Sequence, residues 1–107
     1  MNEKEKMILG ELYYANNEEL IKERKKAKDL CYKYNNLKPS QEKERKKVLK
    51  KLLGNTKENF LIEQPFICDY GYNIHVGENF YVNHNCVILD VAKVEFGDNV
   101  FIGPNCG

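Results

Sequence analysis

The sequence predicts an α+β chain, with helices over residues 1–59 and a β-rich solenoid over residues 60–107. Two observations support this: a change of composition near residue 60 and a twenty-residue repeat that follows it. Residues 1–59 hold 16 of the 17 Lys and Arg residues and 10 acids, a net charge of +6, whereas residues 60–107 carry −5. We therefore expect two structural regions that meet near residue 60.

Three helical segments are predicted in the first region. The first runs from Glu3 to Leu9. The second begins with Asn16 as N-cap, with a glutamate at the capping-box spacing. The third begins after Ser40 as N-cap, and Gly54 suits the position just past its end. Apolar side chains at helical period predict the buried faces, namely Leu20, Ala27, Leu30, Cys31 and Tyr34 in the second helix and Val48, Leu49, Leu52 and Leu53 in the third.

Lysine clusters in the second and third helices could suggest nucleic acid. We favour solvated helix faces, because acids are interspersed and no aromatic residues alternate with the bases. The N-terminus lacks the apolar stretch of a signal peptide, and no run is long enough for a membrane span. A cytoplasmic location, no membrane partner, and four reduced cysteines are therefore expected. None of the cysteines forms a C-x-x-C pair, and no metal is predicted.

Residues 74–87 and 94–107 are two copies of one segment at an offset of twenty. Apolar anchors recur every six residues within each copy, which is the hexapeptide signature of a parallel β-helix. Each hexad would form a strand and a turn, and three hexads one coil, stacked on the next at about 4.8 Å. The identical pairs are Gly77/Gly97, Asn79/Asn99, Asn85/Asn105 and Cys86/Cys106, and the anchors are Val76, Val82, Ile88, Phe96 and Ile102. Gly and Asn are expected at corners, where positive φ is tolerated.

The segments "EKEKMILGELYYANNEEL" and "CDYGYNIHVGENFYVNHNCVILDVAKVEFGDNVFIGPN" resemble the maltose and galactoside O-acetyltransferases of the hexapeptide-repeat acyltransferases. The resemblance implies a left-handed coil, a homotrimer, and acetyl transfer from acetyl-CoA to a hydroxyl of a small sugar such as maltose, glucose or a galactoside. It also implies direct attack by the hydroxyl, with a histidine as general base. That histidine is expected beyond Gly107, so no catalytic residue is assigned within the chain.

The resemblance also implies sugar contacts. Asp69 is similar to a residue that hydrogen-bonds the acceptor, and Asn83 to the asparagine beside the catalytic histidine. Tyr81 is similar to an aromatic residue of the acceptor pocket, and Arg24 to an arginine that some members use on the sugar. Asp90 lies near an acidic acceptor-binding position, with an alignment that could slip by one residue. An acidic acceptor contact before the second helix is not matched, because Ala15 stands there.

Each contact has a structural alternative. Asp69 could close a turn, and the Tyr81 ring could only pack, since Phe101 matches it. Asn85 repeats as Asn105 and is expected at a corner, whereas Gly103 replaces Asn83 in the second copy. Asn83 is therefore the better candidate for a functional role.

Three further residues could be given other roles. His75 is expected to face solvent and His84 to lie at a corner, each without a carboxylate at a recognisable spacing, so neither should replace the missing base. Cys86 is expected to stack inward on its repeat equivalent as a small hydrophobe rather than to form a disulfide.

We expect the 107 residues to be a truncated β-helix and an inactive N-terminal fragment of such an enzyme. The alternative is a catalytically inactive module that binds sugar or oligomerises through its open β-helix end.

Overall fold

Three helices precede the strands in the computed structural model, which describes residues 1–107. They are α1 (Glu3–Ile8), α2 (Glu18–Asn35) and α3 (Glu42–Leu52). The N-cap of α2 is Asn17, not Asn16, because the Asn17 side chain accepts from the N–H groups of the first turn. The predicted Ser40 cap is also wrong, since α3 follows Gln41, which makes no capping bond. None of the helices combines the length and apolar composition that a membrane crossing requires.

Seven short strands wind into stacked coils with three faces. The strands are β1 (Phe60–Ile62), β2 (Phe66–Cys68), β3 (Ile74–His75), β4 (Phe80–Val82), β5 (Cys86–Ile88), β6 (Val94–Glu95) and β7 (Phe101–Ile102). The faces are the sheets β1-β4-β7, β2-β5 and β3-β6.

All strand pairs are parallel, and each joins residues twenty positions apart. This confirms the predicted period. The stack begins earlier than the repeat at residue 74 indicated, because Phe60 already pairs with Phe80. The first coil escaped detection because residues 54–67 lack the Gly-acid-Asn spacing of the later corners.

Asparagine and glycine have different roles at the corners. Four asparagines adopt a left-handed backbone with φ between 56° and 63°: Asn79, Asn85, Asn99 and Asn105. Their amides form ladders between coils, with Nδ2–Oδ1 distances of 3.0 Å. The expectation of positive φ is wrong for Gly77, which is needed for close approach: a Cβ there would lie 2.5 Å from the Gly97 carbonyl oxygen. The corner role predicted for Asn85 is confirmed.

One apolar core joins the helices to the coils. The predicted stripes of α2 and α3 are buried apart from Leu30, which is half-buried, and all except Leu20 pack on the inward side chains of the strands. Leu20 packs in a second cluster with Met7 and Tyr70. Val76 and Val82 are buried anchors, and the later anchors are half-buried against the same core. Because both regions share this core, the helices fix the position of the first coil and of the loop that follows β2.

Candidate functional site

Asp90 holds the loop that follows β2. Its Oδ1 accepts from the Tyr70 N–H at 2.9 Å, and its Oδ2 accepts from the Asn73 N–H at 3.2 Å. The residue is 0% exposed, and burial raises the pKa of its carboxyl despite these donors. The predicted sugar contact by Asp90 is therefore corrected to a structural role. If the alignment is shifted by one residue, the acceptor position falls on Val91. Val91 is 39% exposed, but its side chain is apolar and cannot accept a hydrogen bond.

Arg24 on α2 reaches this same loop. Its Nη1 donates to the Tyr70 hydroxyl at 2.7 Å, and its Nη2 donates to the Ala15 carbonyl at 2.8 Å. Tyr70 is buried, which raises the pKa of its hydroxyl. Asp69 lies between the end of β2 and Tyr70, half-buried, with no hydrogen bond from its carboxylate to the chain. The structure thus places an unpaired carboxylate in a loop that Arg24 and Asp90 hold from two sides.

A second polar chain lies beside Arg24. Glu23 accepts from the Tyr72 hydroxyl at 2.9 Å and from the Lys4 ammonium at 2.9 Å. The Lys4 ammonium also lies 4.5 Å from the centre of the Tyr72 ring. These contacts attach α1 and α2 to the loop after β2. Sequence reasoning missed them because the partners are up to 49 residues apart and no local spacing connects them.

Asn83 lies at the corner between β4 and β5. Its Oδ1 accepts from the backbone N–H of His84 at 2.8 Å, and its side-chain NH2 makes no hydrogen bond within the chain. This leaves two amide donors at a half-buried corner. A ligand oxygen could accept from them without breaking any contact.

His84 has an oxygen atom near each of its ring nitrogens. Nδ1 lies 2.7 Å from the Gln64 carbonyl oxygen, and Nε2 lies 3.4 Å from a Glu63 carboxylate oxygen. No carboxylate stands at a recognisable sequence spacing from His84, and only the stacking of the coils places Glu63 beside it. That His84 does not replace the missing base stays a prediction.

Tyr81 lies on a different face from Asp69. Its ring stacks on Phe101 with centroids 4.8 Å apart, as the packing alternative implied. The residue also lines an open cavity of about 360 Å³ together with Lys46, Glu58, Asn59 and Phe60. Neither Asp69 nor Arg24 lines that cavity.

The strand register separates the predicted sugar contacts into two groups. Position 63 is the equivalent of Asn83 one coil earlier, at the start of the β2-β5 face, and Asp69 follows the end of that face. Asn83 therefore lies at the corner where this face begins and Asp69 just past the strand that ends it, while Tyr81 belongs to the preceding β1-β4-β7 face.

Comparisons with known proteins agree with this architecture. Residues 6–57 match the model of the maltose acetyltransferase hexapeptide capping motif. An acetyltransferase homologue of Saccharomyces cerevisiae is 53% identical over 104 residues, 96% of this chain and 53% of the yeast protein. One of Dictyostelium discoideum is 44% identical over 106 residues, 98% of this chain and 54% of its own length. The chain spans about half the length of the curated relatives it matches.

Solved structures give the same result. A maltose O-acetyltransferase from Clostridium difficile 630 superposes with a TM-score of 0.97 at 50% identity, over 98% of this chain and 56% of that one. A galactoside acetyltransferase in complex with coenzyme A superposes with a TM-score of 0.91 at 38% identity, over 97% and 52% respectively.

The helical cap, the stacked parallel coils and these matches define the class of the hexapeptide-repeat acetyltransferases. Within that class, the chain belongs to the maltose and galactoside O-acetyltransferase family.

Proposed function

We propose that this chain forms the acceptor side of an acetyl-CoA-dependent O-acetyltransferase that modifies a hydroxyl of a small sugar of the maltose, glucose or galactoside type. The main observation in support of this proposal is the unpaired Asp69 carboxylate, which lies in a loop that Asp90 and Arg24 hold in place. The names of the structural neighbours, a maltose O-acetyltransferase and a galactoside acetyltransferase, support the substrate class. Acetyl-CoA is a cytoplasmic metabolite, and we propose that location for the protein.

In this proposal Asp69 accepts a hydrogen bond from a sugar hydroxyl. Arg24 has N–H groups left after it donates to Tyr70 and Ala15, and these can donate to a second sugar oxygen. Asn83 offers its side-chain NH2, and Tyr81 offers an aromatic face. The burial of Asp90 confines it to positioning the loop that carries Asp69.

We further propose that copies of the protein share a site. Asp69 and Arg24 of one copy would meet Asn83 and Tyr81 of the next copy. A ring of three copies, as in the family, brings the two ends together three times. We propose this homotrimer, built on a left-handed coil.

The acetyl group would come from acetyl-CoA, and we propose that neither histidine of this chain acts as the base. His84 lies beside the Gln64 carbonyl and the Glu63 carboxylate, and His75 lies on the separate β3-β6 face. The chain spans about half the length of its relatives, and we place the general base and the coils that cradle coenzyme A in the half that it does not span. We therefore propose that the 107 residues by themselves bind acceptor but do not transfer acetyl groups.

A titration of the 15N-labelled chain with maltose tests acceptor binding. Chemical-shift changes are expected around Asp69 and Arg24, and Asp69→Asn should weaken binding by about tenfold, since a hydrogen bond to a charged group contributes roughly 1.5–3 kcal/mol. Asp29→Asn is the matched control, because Asp29 is exposed on α2. Equal affinity of the two variants would refute the role of Asp69.

Two further measurements separate the parts of the proposal. Coenzyme A release from acetyl-CoA with maltose, followed with a thiol-detecting dye, should not exceed the background without chain. Turnover above it would contradict the proposed inactivity. Sedimentation should give the mass of three copies, and a monomer would contradict the shared site. Binding without turnover in a larger, open-ended oligomer would favour the alternative of a sugar-binding assembly module.

A further inference from the structure

A pair of thiols joins the helical cap to the first coil. Cys31 on α2 and Cys68 at the end of β2 are both buried, and their Sγ atoms lie 3.9 Å apart. They are 37 residues apart in sequence, so only the packing of α2 on β2 brings them together. Neither residue takes part in the proposed acceptor contacts. A thiol pair at this distance can be core filling, or it can be a reactive dithiol.

A cavity gives small molecules a route to these sulfurs. Its volume is about 320 Å³, and its lining includes both cysteines with Lys28, Tyr32, Asn35 and Ile67. Tyr32 and Ile67 are exposed at its rim. Lys28 stands one helical turn before Cys31, so its ammonium lies on the same side of α2. A molecule as small as hydrogen peroxide fits this space.

The contact between the two thiols shifts their pKa values in opposite directions. When the Cys68 S–H donates to the Cys31 sulfur, it lowers the pKa of the Cys31 thiol. The same contact raises the pKa of the Cys68 thiol, and burial adds to that rise. Thiolate is the form that reacts with peroxides, and the contact favours ionisation at the Cys31 sulfur.

We propose that Cys31 and Cys68 are a peroxide-reactive dithiol, converted by hydrogen peroxide into an intrachain disulfide. The Cys31 thiolate attacks one peroxide oxygen, the O–O bond breaks, and the products are the Cys31 sulfenic acid and hydroxide. The Cys68 sulfur then attacks the Cys31 sulfur and forms the S–S bond, while the sulfenic oxygen leaves as water with the Cys68 proton. One peroxide is reduced to two waters, and two thiols are oxidised to one disulfide.

The disulfide would connect two elements that build the proposed acceptor side. Cys68 directly precedes Asp69, and Cys31 lies two helical turns from Arg24 on α2. Oxidation would therefore lock α2 to the strand that carries Asp69. The chemistry of the pair does not depend on the proposed acetyl transfer, so either proposal can fail without the other.

The test treats the folded 107-residue chain with hydrogen peroxide and maps its cysteines. Cys86→Ala with Cys106→Ser removes the other two thiols and serves as the background. Trypsin then releases residues 29–33, which contain Cys31, and residues 58–93, which contain Cys68. We expect these two peptides to be linked, with a mass about 2 Da below the sum of the free peptides. A thiol reductant should reverse the link.

Two controls keep the result decisive. Cys31→Ala in the same background should leave Cys68 without a partner and abolish the link. In the native chain, two of the four thiols should disappear, and cleavage after Glu78 distinguishes Cys68 from Cys86. The proposal is overturned if folded chain keeps both thiols under peroxide that oxidises a urea-unfolded sample. It is equally overturned if the products are intermolecular disulfides through the exposed Cys106.

Discussion

The Arg24 guanidinium donates to the Tyr70 hydroxyl at 2.7 Å, joining the middle of α2 to the loop after β2. The two residues are 46 positions apart, and neither lies in a repeat. The guanidinium carbon also lies 5.9 Å from the centre of the Tyr70 ring. The helical cap is therefore attached to the coil at the position next to Asp69.

Removing the Tyr70 hydroxyl should loosen this attachment. Tyr70→Phe keeps the buried ring but removes the acceptor of Arg24, and we expect a loss of about 1 kcal/mol in the free energy of unfolding. Urea denaturation followed by circular dichroism measures it. Tyr32→Phe is the matched control, because Tyr32 is 72% exposed. Equal stability of both variants would show that the hydrogen bond contributes nothing.

Replacing Asp90 should cost more than replacing an exposed acid in a similar contact. Asp90→Asn leaves one oxygen for two backbone donors and turns an NH2 toward the other, so we expect a loss of about 1–3 kcal/mol. Asp98→Asn should stay within about 0.5 kcal/mol, since Asp98 is exposed and accepts through one oxygen only. Both values come from urea midpoints. A smaller loss for Asp90→Asn than for Asp98→Asn would contradict the loop-holding role.

Two glycines at equivalent repeat positions should respond differently to alanine. A Cβ at Gly77 would lie 2.5 Å from both the Gly97 carbonyl oxygen and an Asp98 carboxylate oxygen, whereas a Cβ at Gly97 meets nothing within 4 Å. Gly77→Ala should therefore cost about 1–3 kcal/mol through overpacking. Gly97→Ala should be neutral or slightly stabilising. Thermal unfolding of the two variants checks the difference, and equal melting temperatures would refute the close approach of the coils.

Alkaline pH should destabilise the chain. Burial raises the pKa of Tyr34, Tyr70 and Tyr72. A folded pKa above the unfolded value of about 10 gives stability that is complete below that pH and is lost as pH rises through the folded value. The free energy of unfolding should therefore fall above about pH 10. The decline should be shallower in Tyr72→Phe and unchanged in the control Tyr32→Phe. A flat profile to pH 12 would contradict the burial argument.

The repeat explains how much the sequence could predict. The offset of twenty between Asn85 and Asn105 indicated both the coil and the corner, because each corner requires the same backbone geometry every time it recurs. Asn83 differed from Gly103, and the structure leaves its side-chain NH2 without a protein partner. Asp90 was predicted near an acceptor position, but the structure buries it, and its carboxylate accepts from backbone N–H groups. Nothing in the local sequence shows which of positions 90 and 91 points inward.

By itself, the sequence determined the helical stripes, the period of the coil and the family, whereas the boundary between two regions near residue 60 stays a prediction. These features are local or periodic, so a short window of residues is enough to recognise each of them. Only the tertiary structure decided that Arg24 holds Tyr70, that Asp90 is structural, that Glu63 engages His84, and that Cys31 meets Cys68. Each of these contacts depends on how α1, α2 and the coils pack, and packing joins residues that no sequence spacing relates.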